Sequence, residues 1–268
     1  MTRLAITGAA GRMGRALIES ALATPGVSIG AAIEHLASPA VGRDAGEFIG
    51  RVRLGVTIVS SLAEVMNNFD VLVDFTAPAA TLIHVHACRK AGKPMVIGTT
   101  GLTPEQSAAV RDAARDIAIV HAPNMSIGVN LCFKLTELAA QIMGANSDIE
   151  IIEAHHNQKK DAPSGTALRL GEVVAAALES DLASRAVYAR EGQTGARKPG
   201  SIGFSSIRAG DIIGDHTVLF AAPGESIEIT HRATSRGNFA AGALRAAQWI
   251  VTQKRGLYDM QDVLNLRA

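Results

Sequence analysis

Residues 7 to 17 read TGAAGRMGRAL. Gly8, Gly11 and Gly14 stand at three-residue spacing between an apolar run, Arg3 to Thr7, and a helical pattern that puts Met13, Leu17, Ile18 and Leu22 on one side. Glycines so placed let the backbone turn tightly and come close to a pyrophosphate, whose charge meets the N-terminus of the helix that follows. A glycine triplet alone is equally a strand-to-helix turn with close packing. Context decides here: the triplet follows the first strand, opens a helix, and is followed by Glu34 at the end of the next strand-like run, where an acid meets an adenosine ribose. Arg12, beside the turn, is within reach of a phosphate; the other reading makes it, like Arg15, a solvated charge on the helix face.

Working outward, Val27 to Ile33, Val56 to Val59, Val71 to Phe75, Met95 to Ile97 and Ile117 to Val120 read as further short strands, several separated by Ala- and Leu-rich helices. Strands alternating with helices imply a parallel sheet covered on both faces. VIGTTG, Val96 to Gly101, and HAPNMSIGVN, His121 to Asn130, each follow the carboxyl end of a strand, where open α/β sheets bind ligands, although ordinary Gly/Asn turn chemistry gives the same residues. From about Asp148 the grammar changes. Ile149 to Glu153 reads as a strand and Thr166 to Leu178 as a helix. Ser201 to Ile207, His216 to Ala221 and Ser226 to Thr230 then follow as strands with Gly-containing turns and no helices between them. The Gly- and charge-rich stretch Arg190 to Gly203 reads as a mobile loop, and Phe239 to Gln253 as a final helix. The expected fold class is α/β: a Rossmann-type parallel-sheet domain, 1–125, plus a second α+β domain, 126–238, with a mostly antiparallel or mixed sheet. The C-terminal segment, 239–268, is expected to pack its helix back on the N-terminal domain.

A chain of 268 residues with 47% hydrophobic content suffices for one large or two modest cores. Lys+Arg 26 against Asp+Glu 25 leaves a formal charge of +1, so bulk electrostatics favour neither nucleic acid nor an anionic membrane, and any bound anion must be captured locally. Cys88 and Cys132 form no CxxC and read as two buried thiols in a reducing compartment. The N-terminus has no long apolar targeting region and no stretch approaches a membrane span, so the expected location is cytoplasmic.

The second cluster of chemistry lies at 153 to 165, EAHHNQKKDAPSG, between a β-like run and a helix-like one. A nicotinamide enzyme needs a second surface that holds the hydride acceptor, neutralises its charge and supplies a proton, and His155, His156 and Lys159 offer those groups within five residues. The plain alternative is a solvated polar loop. A Pro-terminated turn and a helix start follow, whose N–H groups at Gly165 and Thr166 suit a carboxylate, and together these features point to an anionic substrate.

GAAGRMG, DFTAPAATL, VIGTTG, APNMSIGVN, EAHHNQKKDAPSGTAL and RAGDIIGDHTV, in this order, closely resemble the 4-hydroxy-tetrahydrodipicolinate (dihydrodipicolinate) reductase family, from the first strand to the final ALRAAQWI helix. The resemblance implies reduction of a small cyclic dicarboxylate imine on the bacterial diaminopimelate and lysine pathway, with NADH or NADPH giving hydride to ring C4 and water lost. It implies His155 as general acid/base, Lys159 as a second proton donor and carboxylate partner, and His156, Gly165 and Thr166 as carboxylate holders. Gly8, Ala9, Ala10, Gly11, Arg12, Met13, Glu34, Gly98, Thr99, Thr100, Ala122, Pro123, Asn124 and Met125 take the cofactor positions. It further implies a homotetramer built through the second-domain sheets. The roles make chemical sense, because hydride addition to a conjugated imine builds electron density on the ring nitrogen, and a cation or acid there lowers the barrier most in the transition state.

Two departures stand out. His35 occupies the place after the ribose-binding acid where many relatives carry Arg; it lacks the bidentate fork that grips a 2′-phosphate, so NADH is the expected preference. Lys160 adds a cation beside Lys159 and leaves the choice of proton donor ambiguous. Competing readings are another two-domain nicotinamide dehydrogenase, which has no need of EAHHNQKKDAPSG, and a dinucleotide sensor without turnover, which has no need of a His/Lys pair. A metal enzyme is disfavoured: His84 and His86, two apart on a helix, face different directions, and no Cys/His/Asp set shows ligand spacing.

Overall fold

A computed structural model describes residues 1–235 and 237–267; positions 236 and 268, which fall in the expected second domain and C-terminal segment, lie outside the described residues. The chain divides into two compact units: Met1–Ile127 with the C-terminal segment that begins at Gly237, and Gly128–Ser235. The first unit contains β1 (Thr2–Thr7), α1 (Arg12–Ala23), β2 (Val27–Ile33), α2 (Ala45–Phe48), β3 (Ile58–Val59), β4 (Val71–Asp74), α3 (Pro78–Ala91), β5 (Met95–Ile97), α4 (Pro104–Ala113) and β6 (Ala118–His121). The helix α5 (Ile127–Met143) leads into the second unit, which holds β7 (Asp148–His155), α6 (Gly165–Ala177), α7 (Leu182–Arg185), β8 (Ala186–Val187), β9 (Ile202–Arg208), β10 (Gly214–Ala222) and β11 (Glu225–Ala233). The chain then returns to the first unit with α8 (Gly237–Ile250), β12 (Gly256–Tyr258) and α9 (Met260–Val263).

Among the described residues the first unit's sheet has seven strands in the order β12-β6-β5-β4-β1-β2-β3, every pairing parallel. A strand's side chains alternate between faces, and a parallel sheet must be covered on both. Leu4 and Ile6 of β1, Val71 and Val73 of β4, Val96 of β5 and Val120 of β6 enter one core with Leu17 and Ile18 of α1 and Leu244 and Ile250 of α8. Their neighbours Ala5, Leu72, Met95, Ile97 and Ile119 enter the other, with Val85 and Cys88 of α3 and Val110 of α4. The strand order reverses at β1, which has β2 on one side and β4 on the other. The carboxyl ends of β1 and β4 therefore flank a topological switch point, where such sheets bind ligands. No helix among the described residues is long and apolar enough to cross a membrane.

The second unit carries a mixed five-stranded sheet, β11-β10-β7-β9-β8. β10 runs antiparallel to both its neighbours, whereas β7–β9 and β9–β8 are parallel. The parallel pairs arise because α6 and α7 carry the chain back between β7 and β8, a crossover hidden from a reading of the later β run alone. On β7, Ile149, Ile151, Glu153 and His155 alternate inward; the two isoleucines join Val218 and Phe220 of β10, Phe133 of α5 and Val174 of α6 in a third core. The same inward row turns polar at its carboxyl end.

Among the departures from the sequence pattern, three bear on the packing. The strand expected from Val56 shortens to Ile58–Val59, because the Asp44 carboxylate takes the Leu54 and Val56 N–H groups at 3.0 and 3.1 Å. The final helix spans Gly237–Ile250 rather than Phe239 to Gln253, with Gln253 N–H donating to the Ile250 carbonyl in a turn. The Arg190 to Gly203 stretch, expected as a mobile loop, is tied to β7. Arg190 grips both Glu150 oxygens at 2.8 and 2.9 Å, Arg197 bridges Glu150 and Asp148, and Ile202 and Gly203 already belong to β9. Gly203 makes the arrangement possible, since a Cβ there would collide with the Glu150 carboxylate.

Candidate active site

In the first unit the glycine loop joins β1 to α1. Gly8 has φ +64°, a conformation open to glycine at little cost, and Gly11 N–H donates to the Gly8 carbonyl at 2.9 Å. Gly14 packs α1 down on this turn; a Cβ there would collide with the Gly8 carbonyl oxygen and the Ala9 backbone. No side chain caps α1, so its first turn presents N–H groups and the positive end of its dipole where the loop ends. Glu34, at the end of β2, accepts from Ala10 N–H at 2.8 Å and from His35 N–H at 2.9 Å. Its side chain is 10% exposed and that of His35 is 72% exposed, with 3.8 Å between the imidazole Nε2 and the carboxylate.

A cavity of about 430 Å³ opens here, lined by Thr7, Gly8, Gly11, Glu34 and His35 and, across the switch point, by Phe75, Thr76, Ala77, Ala80 and His84. The second group was not singled out as cofactor residues from the sequence; the signal was DFTAP following β4. Their placement depends on Asp74, fully buried at the end of β4. Asp74 accepts from Thr76 N–H and Oγ1 at 3.0 and 2.6 Å, from Thr81 and Thr99 Oγ1 at 3.3 and 3.2 Å, and lies 2.6 Å from His84 Nδ1. Burial works to raise its carboxyl, but the His84 contact and the Thr76 hydrogen bonds outweigh it and hold it below the ordinary range. The Thr99 hydroxyl is thus committed to this hub, Thr100 is exposed, and Gly98 leaves room for the Phe75 ring. Ala122 and Met125 are buried after β6. Ala122 N–H donates to Ile97 at 3.2 Å, the Asn124 side chain accepts from Ser126 N–H at 2.9 Å, and Pro123 is exposed between them. The residues at 98–100 and 122–125 stand at strand ends beside the cavity and are absent from its lining.

In the second unit, the polar end of β7 gathers the other predicted residues. His155 is buried, with Nδ1 2.6 Å from Glu153 Oε2, and the His216 ring meets its edge at a centroid distance of 5.1 Å. Burial lowers the His155 pKa; Glu153 opposes the fall, and the cations Lys159 and Arg208 add to it. His216 is pushed down to about 3 by burial and by His155, so it is neutral. Its Nε2 lies 2.9 Å from Ser164 Oγ, and Ser164 also caps α6 by accepting Ala167 N–H at 3.2 Å. Lys159 is half-buried and donates to Asp161 at 2.8 Å, while Lys160 is exposed. His156 is half-buried at the turn, and nothing stands within 4 Å of where a Gly165 Cβ would be, leaving the start of α6 open to approach beside Thr166. Glu153, Arg208, Ser164 and His216 belong to this cluster and were not among the predicted site residues.

The fold and the glycine-loop site of the first unit define a dinucleotide-dependent oxidoreductase, and comparison with known proteins narrows this. Residues 2–125 match the family described as dihydrodipicolinate reductase, N-terminus, and residues 128–264 match its C-terminus. The chain belongs to the dihydrodipicolinate reductase family. It is similar to the dipicolinate-bound dihydrodipicolinate reductase from Paenisporosarcina sp. TG-14, with 28% identity over 98% of each chain and a TM-score of 0.78. The fold alone is shared with an amine dehydrogenase from Mycobacterium smegmatis, at 14% identity over 100% of this chain and 97% of that one, TM-score 0.64. It is likewise shared with a myo-inositol dehydrogenase from Corynebacterium glutamicum, at 15% identity over 99% and 93%, TM-score 0.60. The protein is an NAD(P)H-dependent oxidoreductase that reduces 4-hydroxy-tetrahydrodipicolinate to tetrahydrodipicolinate in diaminopimelate and lysine biosynthesis.

Proposed function

We propose that His155 is the acid/base group of this reduction, with Lys159 as the second proton donor, and that His156, Lys159 and the N–H groups of Gly165 and Thr166 hold the substrate's two carboxylates. The observation that carries the reading is the inward row of β7, whose apolar alternation ends in Glu153 and His155 beside the start of α6. A buried imidazole among cations and a helix N-terminus suits a dianionic ring far better than solvent. The reaction takes in a hydride at C4 and one proton and releases water. The nicotinamide supplies the hydride; the chain's part is to fix the carboxylates, exclude water and move the proton at His155.

Residues 1–125 are proposed as the dinucleotide domain. Gly8 to Met13 serve the pyrophosphate, Glu34 and His35 the adenosine ribose, and Gly98 to Thr100 and Ala122 to Met125 the remaining cofactor contacts. The second domain, 126–238, binds substrate and builds a homotetramer through its sheet, the C-terminal segment, 239–268, completes the N-terminal domain, and the enzyme works in the cytoplasm. NADH is preferred, because Glu34 repels a 2′-phosphate and the exposed His35 offers no bidentate fork to offset it. Nicotinamide oxidation followed by absorbance, with the upstream synthase generating substrate in situ, tests the assignment. Pyridine-2,6-dicarboxylate should compete with substrate and pyridine-2-carboxylate should bind about 10- to 100-fold more weakly, since a lost charge-assisted contact costs roughly 1.5 to 3 kcal/mol. Equal inhibition by the two would remove the two-carboxylate site.

A further inference from the structure

On the inward face of the second sheet, three strands bring their side chains into one row. Arg208 of β9 is in register with His155 of β7, and His216 of β10 with Glu153. The Arg208 guanidinium reaches back to Glu153, donating to Oε2 at 2.8 Å and Oε1 at 2.7 Å, and also to the backbone carbonyls of Asp161 and Ile207 at 2.6 and 2.7 Å. Glu153 is 1% exposed; Oε2 meets His155 Nδ1 and Oε1 accepts Ser164 N–H at 3.2 Å. A carboxylate gripped by such a fork accepts and cannot donate, so Nδ1 of His155 carries the hydrogen. The other nitrogen, Nε2, lies over Gly214, where a Cβ would stand 3.0 Å away.

We propose that Glu153 and Arg208 are positioning residues for the reaction. Glu153 fixes the Nδ1–H tautomer of His155 and presents Nε2 as the working nitrogen, and Arg208 sets how strongly that carboxylate holds the imidazolium. The proposal rests on His155 being the acid/base group. Through Ser164 N–H the same carboxylate fixes the residue that opens α6, so the proton donor and the carboxylate-binding helix start share one anchor. The charged and titratable groups facing His155 are Glu153 on its own strand, Arg208 on β9, neutral His216 on β10, and Lys159, itself paired with Asp161, on the turn before α6.

Glu153 raises proton affinity at His155 and Arg208 lowers it, so the two substitutions should act in opposite directions. With imidazolium as the acid, kcat falls as pH rises through the His155 pKa. Glu153→Gln should move that limb down by about one pH unit or more and Arg208→Met should move it up by a similar amount, the usual scale for a neighbouring charge. Both should lower kcat about tenfold or more while leaving KM for the nicotinamide unchanged, as expected when an acid/base group is misdirected. Arg208→Gln, which can still donate one hydrogen bond to Glu153, carries the same expectation should the methionine variant not fold. Histidine carbon-13 NMR titration of the intact enzyme, with His155→Ala assigning the signal, reads the same displacements without turnover. Limbs that move together, or not at all, would overturn the proposal. A His155→Ala enzyme with near wild-type kcat would instead overturn the reading beneath it, whatever the titrations show.

Discussion

Glutamine at position 153 is a permanent mimic of protonated glutamate, which turns Glu153→Gln into a measurement of what the charge contributes to folding. The Glu153 carboxyl falls from an ordinary 4.5 to about 2, because hydrogen bonds from Arg208, Ser206 and His155 outweigh a burial that alone would raise it. At 1.36 kcal/mol per tenfold change in proton affinity, this is about 3 kcal/mol of stability. A carboxylate with a depressed pKa contributes fully above its unfolded value and loses the contribution as pH falls through its folded one. The window is therefore pH 4.5 to about 2. At pH 6 the variant should be less stable than the parent by about 2 kcal/mol, the carboxylate's about 3 kcal/mol less about 1 kcal/mol returned by the variant's lower His155 pKa, and the gap should shrink to a few tenths of a kcal/mol by about pH 2 as the parent becomes protonated. Other carboxylates with lowered pKa values, buried Asp74 and half-buried Glu150 among them, titrate in both proteins and cancel in the difference. Urea unfolding followed by circular dichroism at pH 6, 4, 3 and 2, at one fixed protein concentration, gives the two curves. A gap that stays constant from pH 6 to pH 2 would show that Glu153 is not held anionic and that the loss at pH 6 reflects packing alone.

Replacing His155 with alanine should lower kcat at least about a hundredfold with cofactor affinity almost unmoved, as judged by initial rates and by quenching of protein fluorescence on NADH binding. Gly14→Ala should destabilise the enzyme by about 1 to 3 kcal/mol and weaken NADH binding, because α1 must lift off the Gly8 carbonyl; thermal melts and NADH titrations check both halves. His35→Arg should raise kcat/KM for NADPH more than for NADH, and a parent enzyme with a clear NADPH preference would show that the Glu34–His35 pair was misread.

The parallel sheet was legible because its signals are local. Each strand is a short apolar run, each crossover a helical stretch, and β2 and β5 run over the residues the pattern marks. The parallel half of the second sheet was not legible, because it depends on α6 and α7 returning the chain so that β8 and β9 pair alongside β7, a long-range event with no local mark. The Arg190 to Gly203 stretch was misread for a related reason. Glycine and charge usually signal a solvated loop, but here two arginines reach Glu150 across some forty residues of chain, and the glycine at 203 is what admits that carboxylate.

The site shows the same division more sharply. Alternation alone puts Ile149, Ile151, Glu153 and His155 on one face, so a strand whose buried row ends in an acid and a histidine carried readable evidence that Glu153 is buried next to His155. A buried carboxylate demands a cation or several donors, so a partner for Glu153 was required, even though its identity was hidden. Arg208 supplies it from a strand whose parallel pairing with β7 no local pattern announces. Gly214 is the counterpart on the other side: an ordinary glycine just before the strand expected from His216, and in the fold a position where a Cβ would stand 3.0 Å from His155 Nε2. A side chain there would crowd an imidazole already anchored through Nδ1, so the role proposed for His155 calls for an absent side chain on β10 as well as for the acid on β7.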